Sequence, residues 1–301
     1  MKIFLAGSTG FLGRHIGRAL LDAGHEFAAL TRSARKVSAV PELSGARAVE
    51  GDVTDPSSLV GRLDGADAVL GAVTFPNYPV EQPRLGLTFD RFDRRGTEHL
   101  LQEARRAGVE SYLYISGAGA DPSSDKSWYR AKGRAEEAIR SSGLRWAALR
   151  PSWAYGPGDK ALNRLAGIAR FSPIVPRLGV RPQRIQPVFV EDIALVVRRI
   201  FERAGAWNRV YEIGGPEVLT MDEVLKTMCE VLGRRRLVVP VPTLLAKLAT
   251  APLDLLPRPP MNPVGIEFAV QDGLVDITDI ERELGVRPVD LRSGLARYLR
   301  G

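Results

Sequence analysis

The sequence predicts an α/β protein: an open, doubly wound parallel sheet followed by a smaller, mainly helical C-terminal part. Three observations predict it. From residue 2 to about 155, short apolar runs alternate with longer helical patterns, the signature of βαβ units. A glycine-rich turn at residues 7–13 follows the first apolar run and opens the first helical pattern. After Tyr155-Gly156-Pro157-Gly158-Asp159 the texture changes, with Pro173, Pro176, Pro182 and Pro187 in quick succession. A length of 301 residues with 45% apolar content supports a real core and excludes disordered and fibrous classes.

Element by element, strands are expected at residues 2–6, 26–31, 48–50, 68–72, 111–116 and 146–149. Most are apolar on both faces, as buried parallel strands require. Helices are expected at 12–23, 56–63, 91–107 and 128–141. A strand at 186–190 with a helix at 192–203, and a strand at 209–213, read as returns to the sheet. The domain built on the parallel sheet is therefore placed at 1–155, completed by about 185–216. Residues 156–184 and 217–301 are left as a substrate or cover domain. Thr220 and Glu223 have the spacing of a capping box for a helix ending near Gly233.

The glycine turn reads Gly7-Ser8-Thr9-Gly10-Phe11-Leu12-Gly13. Gly7 permits a sharp turn, Gly10 lets a pyrophosphate approach the backbone, and Gly13 lets the helix pack closely on the strand. Thr9, Phe11 and Leu12 complete the cradle, whose free N–H groups and helix dipole favour an anion. In this context the motif predicts a Rossmann-type dinucleotide site. The end of the second strand selects the nucleotide. An NAD site wants a carboxylate there for the ribose hydroxyls, and none occurs between Phe27 and Pro41. Arg32, Arg35 and Lys36 stand there instead, suited to the 2′-phosphate of NADP(H). Arg14 is a further candidate cation.

The chain carries 42 Lys and Arg against 35 Asp and Glu, a formal charge of +7. The cations are scattered, with no run longer than Arg234-Arg235-Arg236, so nucleic-acid binding is not expected. One cysteine, Cys229, excludes an intramolecular disulfide and reads as a buried helical residue. His15, His25 and His99 have no metal-ligand spacing, so no metal site is expected. The N-terminus shows no leader pattern, which predicts a cytoplasmic location. The most apolar stretch, 237–256, is interrupted by Pro240, Pro242, Lys247, Pro252 and Asp254. It reads as a packed surface helix or as a peripheral membrane contact.

In order along the chain, Gly7–Gly13, Gly51-Asp52-Val53, Gly96-Thr97, Lys132, Leu149-Arg150-Pro151-Ser152 and Tyr155-Gly156-Pro157-Gly158-Asp159 resemble the extended and atypical short-chain dehydrogenase/reductases, the NAD(P)-dependent epimerase/dehydratase-like group. Residues 186–194 and 210–220 are similar to the branch related to the nucleotide-binding accessory subunit of respiratory complex I. The resemblance implies that Asp52 and Val53 flank the adenine, that Ala72, Val73 and Thr74 line the groove, and that Pro151, Ser152 and Trp153 lie beside the nicotinamide. It also implies a monomer or a homodimer, the dimer joined through the helices at 91–107 and 128–141.

Catalytic members of that group place a Tyr four residues before the Lys, with a Ser or Thr from the preceding strand end. Here the residue four before Lys132 is Trp128, and Tyr129 is one position late. One residue is a rotation of roughly 100° about the helix. Gly117 holds the place of the usual hydroxyl, with Ser116 one residue early. Two functions follow. The first is an NADP(H)-dependent oxidoreductase on a small, fairly apolar or sugar-nucleotide-like substrate, using Lys132, Tyr129 and Ser116. The second is an NADP(H)-binding module without turnover, a structural subunit or redox sensor, in which Lys132 only binds the cofactor ribose.

Overall fold

The computed structural model describes residues 1–257 and 259–299. Its centre is a seven-stranded, all-parallel sheet. The strands are β1 (Lys2–Ala6), β2 (Glu26–Thr31), β3 (Arg47–Glu50), β4 (Ala68–Gly71), β5 (Ser111–Ile115), β6 (Arg145–Pro151) and β7 (Arg209–Ile213). Their order is β7-β6-β5-β4-β1-β2-β3. The direction of winding reverses between β1 and β4, and an open α/β sheet presents its ligand crevice at the carboxyl ends of such a pair.

Alternation along the strands sends side chains into two layers. Ile3, Leu5, Leu70 and Leu113 pack with Ile16 and Leu20 of α1 (Phe11–Asp22) on one face. The other face carries Phe4, Val69, Tyr112 and Tyr114. They pack with Leu100 and Ala104 of α2 (Gly96–Arg106) and Ala131, Ala135 and Ile139 of α3 (Ser127–Arg140). Residues Val190–Glu202 form α4, which closes the first layer with Val196, Val197 and Ile200.

Three expectations are corrected. The stretch 237–256, expected as a single surface helix, opens instead as a strand, Leu237–Val241, before the helix Thr243–Thr250. The segment expected as a helix at 56–63 is one 3-10 turn, Pro56–Leu59, because Gly61 takes φ of +74° and its N–H is held by Glu103. The strand expected at 186–190 does not rejoin the sheet. Only Val188–Phe189 is extended, paired in parallel with Ala154–Tyr155 outside it. The capping box is present, with Thr220 and Glu223 satisfying each other's backbone at the start of Met221–Val231. That helix brings Val224, Leu225, Met228 and buried Cys229 into a third core with Tyr155, Leu162, Phe189, Leu291 and Leu295.

Candidate nucleotide-binding and catalytic site

The turn after β1 is built as the glycine spacing requires. Gly7 has φ of +90°, and a Cβ there would lie 2.2 Å from the Ala72 carbonyl oxygen. A Cβ on Gly13 would lie 2.1 Å from the Gly7 carbonyl oxygen, so the first turn of α1 rests on the loop. Gly10 is different. Its backbone is exposed and a Cβ would meet only the Gly7 oxygen, at 3.1 Å, so its bare face is open. Gly10 is also the N-cap, with no side chain bonded to the first N–H groups of the helix and no acidic residue in its first turn. Beside it the Ser8 hydroxyl is buried and, among the described residues, has no hydrogen-bond partner. An open backbone, free N–H groups and an orphaned hydroxyl fit a bound pyrophosphate. Thr9 is exposed at the tip of the turn, and Phe11 and Leu12 are half-buried in the first turn of α1.

Arg32, Arg35 and Lys36 lie exposed past the end of β2, and among the described residues none pairs with a carboxylate. Thr31 braces this loop, its Oγ1 donating to the Ser33 carbonyl at 2.9 Å. Arg14 points elsewhere: its Nη2 donates to the Pro157 carbonyl at 2.8 Å, beneath the 155–159 loop. Glu50 is an acid the local sequence window did not contain. It stands opposite Thr31 on β3, and its Oε1 accepts the Ala34 N–H at 3.0 Å.

The other predicted groove residues line the same end of the sheet. The Asp52 Oδ1 accepts from the N–H and hydroxyl of Thr54, at 2.8 and 2.9 Å. Asp52 is half-buried, and Val53 is buried against Gly96. Ala72 donates its N–H to the Ala6 carbonyl, Val73 is half-buried, and Thr74 is exposed. Pro151 accepts from Ala118 N–H, which sets it beside the 116–118 loop. Ser152 and Trp153 are half-buried. The Ser152 hydroxyl is committed to the Gly273 carbonyl at 2.6 Å, and the Trp153 carbonyl accepts from Val188.

Among the described residues the three candidate catalytic side chains make no hydrogen bond to one another, and each has its own surroundings. Lys132 is buried, and its Nζ donates to Asp93 Oδ1 at 2.7 Å, with side-chain exposures of 9% and 0%. The Tyr114 hydroxyl donates to the same oxygen at 3.3 Å, and Asp93 Oδ2 is buried without a partner among the described residues. Burial, with the Asp93 carboxylate as the next cause, holds the Tyr114 phenol well above its ordinary range. Ser116 is also engaged: its Oγ donates to Glu136 Oε1 at 2.5 Å, and Glu136 is held by Arg150 through two bonds of 2.9 and 2.7 Å. Tyr129 lies against Gly119, where a Cβ would approach the ring to 2.7 Å, with its phenol raised mainly by burial. The place four residues before Lys132 is filled by the Trp128 indole, buried against Phe89 and Phe268.

Asp93 was not found by sequence reading, because it lies in a π-helical turn, Asp90–Arg95, far from Lys132 in the chain. Glu136 had a legible signal: it is one helical turn after Lys132 and so on the same face of α3. Phe268 comes from the C-terminal part and was beyond any local pattern.

A family model described as NAD(P)H-binding matches residues 7–167, from the glycine turn through β6 and beyond. The chain belongs to the NAD(P)H-binding family. Among its relatives is the NADH dehydrogenase [ubiquinone] 1 alpha subcomplex subunit 9 of Arabidopsis thaliana. The two are 27% identical over 83% of this chain, which spans 62% of that protein's length. Another is an NAD(P)H azoreductase of Xenophilus azovorans, 27% identical over 77% of this chain and 74% of the relative. The UDP-glucose 4-epimerase of Thermus thermophilus, solved in complex with NAD, superposes with a TM-score of 0.74. The match covers 100% of this chain and 99% of the epimerase at 23% identity, and the two share the fold. The extended and atypical short-chain dehydrogenase/reductase resemblance read from the motifs thus holds, including its complex I branch.

Proposed function

We propose that this family member binds NADP(H) in the crevice between β1 and β4 and keeps it as a held group, without a built-in proton donor for turnover. The observation that carries this reading is the buried Lys132–Asp93 pair beneath a position filled by the Trp128 indole. In a turnover site the ammonium stands free beside a phenol and lowers its pKa. Here the ammonium is neutralised by Asp93, no phenol occupies the adjacent helical position, and Gly117 offers no hydroxyl. Bound NADPH would offer a hydride for which this site provides no matched proton donor. The turn at 7–13 would hold the pyrophosphate, Arg32 and Arg35 the 2′-phosphate, and Asp52 and Val53 the adenine. The Arabidopsis relative, a subunit of a larger assembly, supports a role of this kind.

The reading is tested by adding NADPH to the purified chain. It expects the Tm to rise with nucleotide concentration by mass action. It also expects no NADPH consumption with quinones, isoprenoid carbonyls, azo dyes or sugar nucleotides. Consumption of NADPH in the presence of one of these would replace it.

A second reading is an NADPH-dependent reductase with Tyr129 as proton donor. It is favoured by the half-buried Tyr129 phenol near the rim of the 116–119 loop, and the azoreductase relative belongs to the same class. Under it Tyr129→Phe abolishes turnover of an accepted substrate while NADPH binding survives.

A further inference from the structure

Outside the sheet, strands Ile174–Leu178 and Leu237–Val241 form a two-stranded parallel ribbon. Its register sets Ile174 beside Leu237, Pro176 beside Val239, and Leu178 beside Val241. Because side chains alternate along a strand, these six residues share one face, and the other face carries buried Val175 and Arg177. All six are apolar, and the face is open at its Ile174 end: Leu237 is 64% and Ile174 46% exposed and Pro176 is exposed, while Leu178, Val239 and Val241 are half-buried. At the Ile174 end Phe171 follows, 90% exposed, beside Arg170 and Arg234 in a surface depression of about 630 Å³. Arg235 is exposed next to Arg234. Among the described residues, Arg170, Arg234 and Arg235 have no carboxylate partner, whereas nearby Glu230 is engaged by Arg292.

From this juxtaposition we propose that the ribbon face with Phe171 is a docking surface for an anionic phospholipid bilayer. The face is aliphatic throughout and, with Phe171, offers a partner no side-chain hydrogen-bonding group. A protein interface of ordinary composition carries about one hydrogen bond per 100–200 Å². A bilayer asks for none, since aliphatic and aromatic groups enter the acyl boundary and cations meet the headgroups. The three arginines supply the matching charge at one end, where planar guanidiniums bind phosphate bidentately. No helix among the described residues is long and apolar enough to cross a membrane, so the contact is a surface one. The helix Thr243–Thr250 follows the ribbon directly and exposes Leu244, Leu245 and Leu248.

The test uses the full chain and sedimentation with vesicles of phosphatidylcholine alone or mixed with phosphatidylglycerol. The proposal expects binding to the mixed vesicles that weakens as salt rises, and at least tenfold weaker binding to phosphatidylcholine. The pair Phe171→Ser and Leu237→Ser, and separately Arg170→Gln with Arg234→Gln and Arg235→Gln, each reduce binding at least tenfold. Both leave the NADPH-induced rise in Tm unchanged, which shows that the variants are folded. A Phe171→Trp chain shows a blue-shifted emission on the mixed vesicles. Failure to bind either vesicle, or equal binding by all variants, overturns the proposal. A concentration-dependent dimer in buffer that Phe171→Ser dissolves overturns it too, by making a second copy the occupant. Because the nucleotide readout is separate, failure here leaves the proposed function standing.

Discussion

Asp93 is a buried carboxylate with one oxygen on the Lys132 ammonium and the other without a partner among the described residues. Removing one member of such a pair leaves an uncompensated buried charge and costs about 3–5 kcal/mol, so Asp93→Ala should lower stability by that order in denaturant titration. Asp93→Asn keeps the shape and frees the ammonium, and its effect should fall on the nucleotide. If Lys132 is withheld from the ribose by Asp93, this variant binds NADPH more tightly than the parent, as fluorescence titration would show. At the cradle, Gly13→Ala forces a methyl group against the Gly7 carbonyl. Overpacking of this kind costs about 1–3 kcal/mol, and NADPH binding should be lost with it. At the 2′-phosphate, Arg32→Ala with Arg35→Ala should bring NADPH affinity down to that for NADH from a preference of at least about tenfold, one charge-assisted pair being worth roughly 1.5–3 kcal/mol. Glu50, close to the same loop, opposes a phosphate, so Glu50→Gln should move the preference the other way.

Elements differ in how far the sequence announced them. The glycine turn, β1, α1 and the parallel strands were legible because short-range patterns specify them: apolar runs of the right length, and glycines where the backbone must approach itself. The 3-10 turn at Pro56–Leu59 was misread because Asp55 and Pro56 begin a helix well, and nothing local says that Gly61 will stop it after one turn. The Asp93–Lys132 pair was not legible, since it depends on a π-helical turn and on how α2 and α3 cross the sheet. Displacement of Tyr129 was legible from spacing alone, and the structure shows what took the vacated position: Trp128, packed on Phe268 from the C-terminal part. At the same scale, the faces of α2 and α3 and the turn before them expose Arg95, Arg105, Arg106, Arg134, Glu137 and Arg140. A homodimer through these helices would bury that charge. Sedimentation velocity is therefore expected to show a monomer, and a dimer broken by charge reversal at Arg134 or Arg140 would refute this.

At the scale of the whole molecule, the +7 charge divides by place rather than marking one partner. Arg32, Arg35 and Lys36 gather past the end of β2, and Arg170, Arg234 and Arg235 beside the apolar ribbon, while Arg14, Arg150 and Arg177 are tied into the fold. The central claim is that this fold holds NADPH with its lysine neutralised and its phenol displaced. The most direct measurement is NADPH fluorescence of the stoichiometric complex, followed over time after addition of a quinone, a carbonyl or an azo acceptor. The account predicts a bound signal that persists in every case. Decay at about 1 s⁻¹ or faster, within the ordinary range of enzyme turnover, would contradict it.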